Sequence, residues 1–210
     1  MQIRRVELPT SNQEAQLAFY RDVLELPVSH IGISIAVAVG PSTLVFTPGL
    51  TVPQHFAFNV ADFDRALAWL QSRVPIHRDA SNRSEFAFPS WSARAAYFRD
   101  PDGNVLEIIA REHRPLPSEG HPLHEVSEVG VACDDVLGAV GRLGLPVYGD
   151  PSDDFAAVGD VQGLLILVRR GRVWYPDTGI EAQPSEGRVV FAGGEVDLHT
   201  SLSALDANRS

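Results

Sequence analysis

An internal repeat constrains this chain more than any other feature, because segments that share one pattern of elements must share one fold. Three segments open on a short β-prone run: RRVELP at Arg4, QHFAFNV at Gln54 and SEVGVAC at Ser127. An apolar pattern at helical spacing follows each. It is carried by Leu17, Phe19, Tyr20, Val23 and Leu24, then by Phe63, Ala66, Leu67 and Leu70, then by Val136, Ala139, Val140 and Leu143. Asn12, Asp62 and Asp135 stand at the helix starts as N-caps or first-turn acids.

Each helical pattern ends in one type of tripeptide: Leu26-Pro27-Val28, Val74-Pro75-Ile76 and Leu145-Pro146-Val147. Proline cannot continue a helix and biases the residue before it toward extended backbone, so each tripeptide marks a helix-to-strand switch. Further strand-like runs follow: SHIGISIAVAV and STLVFTP, then EFAFPSW, ARAAYFR and NVLEIIAR, then DFAAVGD, GLLILVRR and GRVWYP.

The expected fold is therefore α+β, a βαβββ module repeated three times over residues 1–50, 51–113 and 124–192. Pro115, Pro117, Gly120 and Pro122 make 114–123 a linker, and residues 193–210 a tail with little to pack against. A helix covers one face of each sheet, so modules should pair to enclose a cup with curved mixed sheets. The short connection makes modules 1 and 2 the natural pair. Module 3 then covers an existing surface or pairs across a homodimer.

Composition bounds the partners. The 210 residues carry 17 basic and 27 acidic side chains, a net charge of -10. That opposes nucleic acid and anionic membrane, both of which call for a basic face. Cys133 is the single cysteine, so neither an intrachain disulfide nor a Cys-based zinc site can form; in the run VGVAC it reads as a buried thiol. The N-terminal MQIRRVELPTS lacks a signal-peptide core and no run approaches the ~20 apolar residues of a membrane span. A cytoplasmic protein is expected.

Module 2 concentrates the chemistry. Its first strand starts at His55, and Glu107 interrupts an apolar last strand behind the turn Asp100-Pro101-Asp102-Gly103-Asn104. Val105, Glu107 and Ile109 share one face; Leu106 and Ile108 share the helix-packing face. A carboxylate on an enclosed face is costly unless paired or bound to a metal.

The stretches FYRDVLELPV and YFRDPDGNVLEI, with VELPTSNQEAQLAFYRDVLELPV, HFAFNVADFDRALAWL, SEFAFPSW and PVYGD…FAAVGD, resemble the vicinal-oxygen-chelate superfamily of glyoxalases, extradiol dioxygenases and bleomycin-resistance proteins. The resemblance runs to about residue 192 and is nearest to a three-module subgroup that is glyoxalase-like or catechol-2,3-dioxygenase-like. It implies that His55 and Glu107 hold a divalent ion (Fe, Mn, Ni or Zn) that chelates vicinal oxygens of a small substrate. Arg5, which cannot ligate a metal, stands at the matching first-strand position of module 1, and Val45 and Phe46 where its second ligand would lie. Glu7, on the same strand face as Arg5, is the candidate third ligand or base.

Module 3 offers Glu128 at its first-strand site but no carboxylate in GLLILV, and reads as structural. Arg5, Glu85, Trp91 and Tyr97 are the candidate substrate contacts; Trp174 and Tyr175 read as core or interface residues. The alternatives stay open: His55 and Glu107 as a buried pair, Glu107 or Glu7 as an arginine partner, and the whole as a metal-free binding protein of the bleomycin-resistance type. The other six histidines lack ligand spacing.

Overall fold

A computed structural model describes residues 1–198. Two mixed sheets carry the chain. Module 1 consists of β1 (Ile3–Thr10), α1 (Gln13–Ala18), β2 (Val28–Ile31), β3 (Ser34–Val39) and β4 (Ser42–Pro48). Module 2 consists of β5 (His55–Asn59), α2 (Phe63–Gln71), β6 (Phe86–Phe88), β7 (Ala93–Arg99) and β8 (Val105–Arg111). Module 3 follows with β9 (Glu125–Cys133), α3 (Val136–Leu143), β10 (Phe155–Asp160) and β11 (Gly163–Arg169). Its missing strand is reduced to one bridge, Val147 to Val158. In every module the first strand runs parallel to the last and the others complete an antiparallel meander.

The pairing of modules differs from the expectation. The seven-stranded sheet runs β10-β11-β9-β5-β8-β7-β6, so module 2 pairs with module 3 through antiparallel β5 and β9. Module 1 belongs to the other sheet, of order β13-β12-β1-β4-β3-β2. There β12 (Arg188–Phe191) lies antiparallel to β1, as β9 lies against β5, and β13 (Gly194–Asp197) follows it. Residues 194–198 are thus no loose tail: Val196 and Leu198 are buried, β12 pairing along the edge of β1 and β13 along β12. The segment GRVWYP is not a sheet strand either; it begins a loop over residues 171–183 that crosses the mouth of the cup.

The strand faces alternate as the sequence implies. Leu106 and Ile108 join Phe56, Phe58, Val129, Val131 and the buried sides of α2 and α3 in the large apolar core shared with module 1. Val105, Ile109, Ala57, Tyr97 and Ile166 point to the opposite, cup-side cluster. Burying a side chain such as Phe58 contributes roughly 1.5–3 kcal/mol. Cys133 is buried, and burial pushes its thiol up to about 11. Among the described residues no helix is long and apolar enough to cross a membrane.

Candidate metal centre

Three buried side chains converge on the floor of the cup. His55 begins β5, Glu107 lies mid-way along β8, and Glu128 lies on β9. One ligand atom from each falls within 4.8 Å of the others. His55 Nε2 stands 3.5 Å from Glu107 Oε2 and 3.9 Å from Glu128 Oε2. The other ring nitrogen, Nδ1, lies 3.0 Å from the Val105 carbonyl. A carbonyl only accepts, so Nδ1 carries the proton and Nε2 presents its lone pair to the cup.

The register explains this donor set. Glu107 pairs with Ala57, two residues after His55; Ile166 pairs with Gly130, two residues after Glu128. Ile166 therefore occupies the place that Glu107 has in module 2, and the pair of modules supplies three donors where four would complete the symmetry. A bulge in β9 lets Ser127 drop out of register with β5, so that Glu128 faces Ala57 and Glu125 faces Asn59. By the same register Arg5 and Val45 hold the corresponding places in module 1.

The electrostatics are those of a site short of positive charge. Burial, then the neighbouring Glu128 carboxylate, pushes Glu107 well above the ordinary carboxylate range. Burial also pushes Glu128 upward, but the charge and hydrogen bond of the Arg111 guanidinium hold that carboxylate below its ordinary value. Arg111, from the end of β8, ion-pairs with Glu128 Oε1 and donates from Nη1 to Asn59 Oδ1 at 2.9 Å. Asn59 in turn donates to Glu125 at 2.9 Å, which also accepts from Arg114 at 2.8 Å. Burial and the Glu107 charge raise the Tyr97 phenol well above its usual range, so it stays a donor toward Glu107. The donor set fits a divalent ion: one imidazole lone pair and two carboxylates, with nothing cationic among the three.

Above the floor lies a cavity of about 400 Å³ walled by Phe88, Trp91, Tyr97, Tyr148, Phe155, Trp174 and Tyr175. Trp174 rides on the crossing loop and places its ring 5.5 Å from the His55 ring. Gly130 makes room for it, since a Cβ there would stand 2.5 Å from the indole. Within the loop the backbone N–H of Trp174 donates to Ile180 O at 2.9 Å, and Gln54 Nε2 fastens the loop by donating to Gln183 O at 3.0 Å.

The sequence candidates fare unequally. His55 and Glu107 meet, and Trp91 and Tyr97 line the cavity. Glu7 does not join them. It pairs with Arg5 at 2.9 Å on β1, in the other sheet, and borders a separate depression. Arg5 is accordingly neither the partner of Glu107 nor a cup residue. Glu85 pairs with Arg94 at 2.9 Å outside the cup. The physical reason is the pairing of β5 with β9, which brings module 3 to the site in place of module 1. Glu128 therefore lies with His55 and Glu107 on the cup floor, and Trp174 and Tyr175 are cavity walls. Arg111 escaped the sequence reading, although a charged residue closing a strand as apolar as VLEIIAR was a signal. His199 lies outside the described residues.

Comparison with known proteins gives the family. The model of the Glyoxalase/Bleomycin resistance protein/Dioxygenase superfamily matches residues 2–108, half of the chain. The chain belongs to this superfamily. Among solved structures this superfamily member is similar to a Bacillus subtilis protein proposed to be a dioxygenase, at 17% identity, over 80% of this chain and 63% of that one, with a TM-score of 0.57. It therefore spans less than two thirds of that relative's length. A point mutant of glyoxalase I from Zea mays is matched at 17% identity over 80% of this chain and 68% of that one, TM-score 0.54. These likenesses show the fold. No curated protein matches.

Proposed function

We propose that the cup between modules 2 and 3 is the metal site of an enzyme acting on a small, planar substrate with vicinal oxygens. The observation that carries this reading is the convergence of His55 Nε2, Glu107 and Glu128 within 4.8 Å on the floor of an aromatic cavity. A divalent ion held there supplies Lewis acidity toward the bound oxygens. The remaining work belongs to the chain. The Val105 carbonyl fixes the His55 tautomer, and the aromatic walls orient a flat substrate and exclude water. Glu107, with its raised pKa and the Tyr97 phenol beside it, is placed to take up or return a proton at the substrate. Ring cleavage, isomerisation and lyase chemistry are the reaction types that this reading covers.

Elemental analysis of purified protein tests the reading. Wild type should carry about one Fe, Mn, Ni or Zn per chain, and His55→Ala, Glu107→Gln and Glu128→Gln should each lose it. A wild type that holds no metal and takes up none when offered would sink the enzyme reading.

A metal-free binding protein of the bleomycin-resistance type is the second reading. One observation favours it: Arg111 already neutralises Glu128, so that buried acid is compensated within the protein. In that case Glu107 stays protonated, and the aromatic cavity sequesters a small ligand.

A further inference from the structure

The two carboxylates of the site are not equivalent. Among the described residues Glu107 has no arginine or lysine ion-paired to it, and its Oε2 faces His55 Nε2 at 3.5 Å, whereas Glu128 is divided between two tasks. Its Oε1 is ion-paired to Arg111, and its Oε2 faces His55 Nε2 at 3.9 Å. Arg111 has no freedom to release it. The Arg111 side chain is 1% exposed, its Nη1 is tied to Asn59 at 2.9 Å, and Asn59 is tied through Glu125 to Arg114. A lysine's single ammonium could not span the same two partners in fixed geometry.

The consequence is a matter of charge. A neutral imidazole and two carboxylates carry two negative charges; the buried guanidinium returns one. A divalent ion then leaves the site with one net positive charge. That is the charge of a two-His-one-carboxylate set holding the same ion. Glu128 and Arg111 together thus stand in for one neutral donor.

We propose that Arg111 is a charge-compensating positioning residue: it occupies Oε1 of Glu128, leaves only Oε2 for the ion, and sets the loaded site to accept its vicinal-oxygen substrate as a monoanion. The inference rests on the metal reading above and deepens it. It distinguishes this cup from one in which two free carboxylates neutralise the ion and a neutral substrate suffices.

The test uses the full chain, Co²⁺ as the metal probe and 4-nitrocatechol as a chelating anionic probe whose absorbance shifts on binding. Arg111→Met removes the compensating charge. Co²⁺ should then bind about tenfold more tightly, while 4-nitrocatechol should bind the Co²⁺-loaded protein about tenfold more weakly, the scale of one unit charge a few ångströms away once water has entered. A merely structural role moves both affinities downward together, and that result overturns the inference. Arg111→Lys keeps the charge without the fixed two-partner geometry, so it should return both affinities part of the way toward wild type. The double variant Arg111→Met with Glu128→His restores the net charge and should recover 4-nitrocatechol affinity to within about threefold. If Arg111→Met does not fold, the double variant decides: loss of 4-nitrocatechol binding with Co²⁺ still bound overturns the inference. A wild type that binds no Co²⁺ overturns the metal reading itself, and so is told apart from failure of the Arg111 assignment.

Discussion

Asp100 shows how a single side chain outside the cup joins the two motifs that mark the family. Its Oδ1 accepts from the backbone N–H of Asp102 and of Asn104, both at 3.0 Å, and so shapes the turn into β8. Its Oδ2 accepts from Asn104 Nδ2 at 2.8 Å, and from Gln16 Nε2 and the Tyr20 hydroxyl, both at 3.1 Å. Tyr20 belongs to the first motif and Asp100 to the second, so the carboxylate ties module 1 to the strand that carries Glu107. The turn was legible in the sequence from Pro101 and Gly103, and Gly103 does adopt φ 80°. The partner Tyr20 was not legible, since nothing local to either motif encodes their contact. Burial raises the Asp100 carboxyl to about 6, against hydrogen bonds that pull it down. A folded-state value above the unfolded one means that the folded protein binds this proton more tightly. The associated stability is complete below pH ~4 and is lost as pH rises through 6. Asp100→Asn removes that titration. Urea unfolding should show wild type ahead of Asp100→Asn by a margin that grows by a few kcal/mol from pH 7 to pH 4. A margin independent of pH would contradict the assignment.

The helices are the elements that the sequence specified best, because their signals are local. Asn12, Asp62 and Asp135 each accept from the backbone N–H three residues on, at 3.0, 3.0 and 2.9 Å. Asp62→Ala and Asp135→Ala should each cost about 1 kcal/mol, and the Asn variants much less. Denaturation midpoints check this, and equal losses for Ala and Asn at either site would point to charge in place of capping. The proline tripeptides mark every helix end, but a strand begins directly after only the first, at Val28. After Val74-Pro75-Ile76 the chain runs through the polar stretch HRDASNRSE before β6 forms, and Val147 makes a single bridge. Proline ends a helix wherever it stands; whether a strand follows depends on an edge being there to pair with.

At the scale of the whole molecule the order of modules around the sheets decides where the site is. A chain ending at residue 183 keeps the loop over the cup but loses β12 and β13, and with them the buried Val189, Phe191, Val196 and Leu198. The edge of β1 then lies open, so this shortened protein should unfold at a lower urea concentration and self-associate in size-exclusion chromatography while still taking up metal. An unchanged midpoint and a monomeric profile would show that the hairpin covers nothing of consequence. The sequence by itself determined the first two modules, the three capped helices, the alternating strand faces and the pair His55 and Glu107, all of which follow from periodicity and turn chemistry within short windows. Only the tertiary structure decided which first strands meet. β1, β5 and β9 are similarly β-prone, so edge-to-edge pairing is set by side-chain partners that lie far apart in the chain. Arg111 with Glu128 and Asn59 with Glu125 are satisfied across modules 2 and 3, while Arg5 and Glu7 satisfy each other on β1. That choice of partners brings Glu128 to the site and leaves Glu7 outside it.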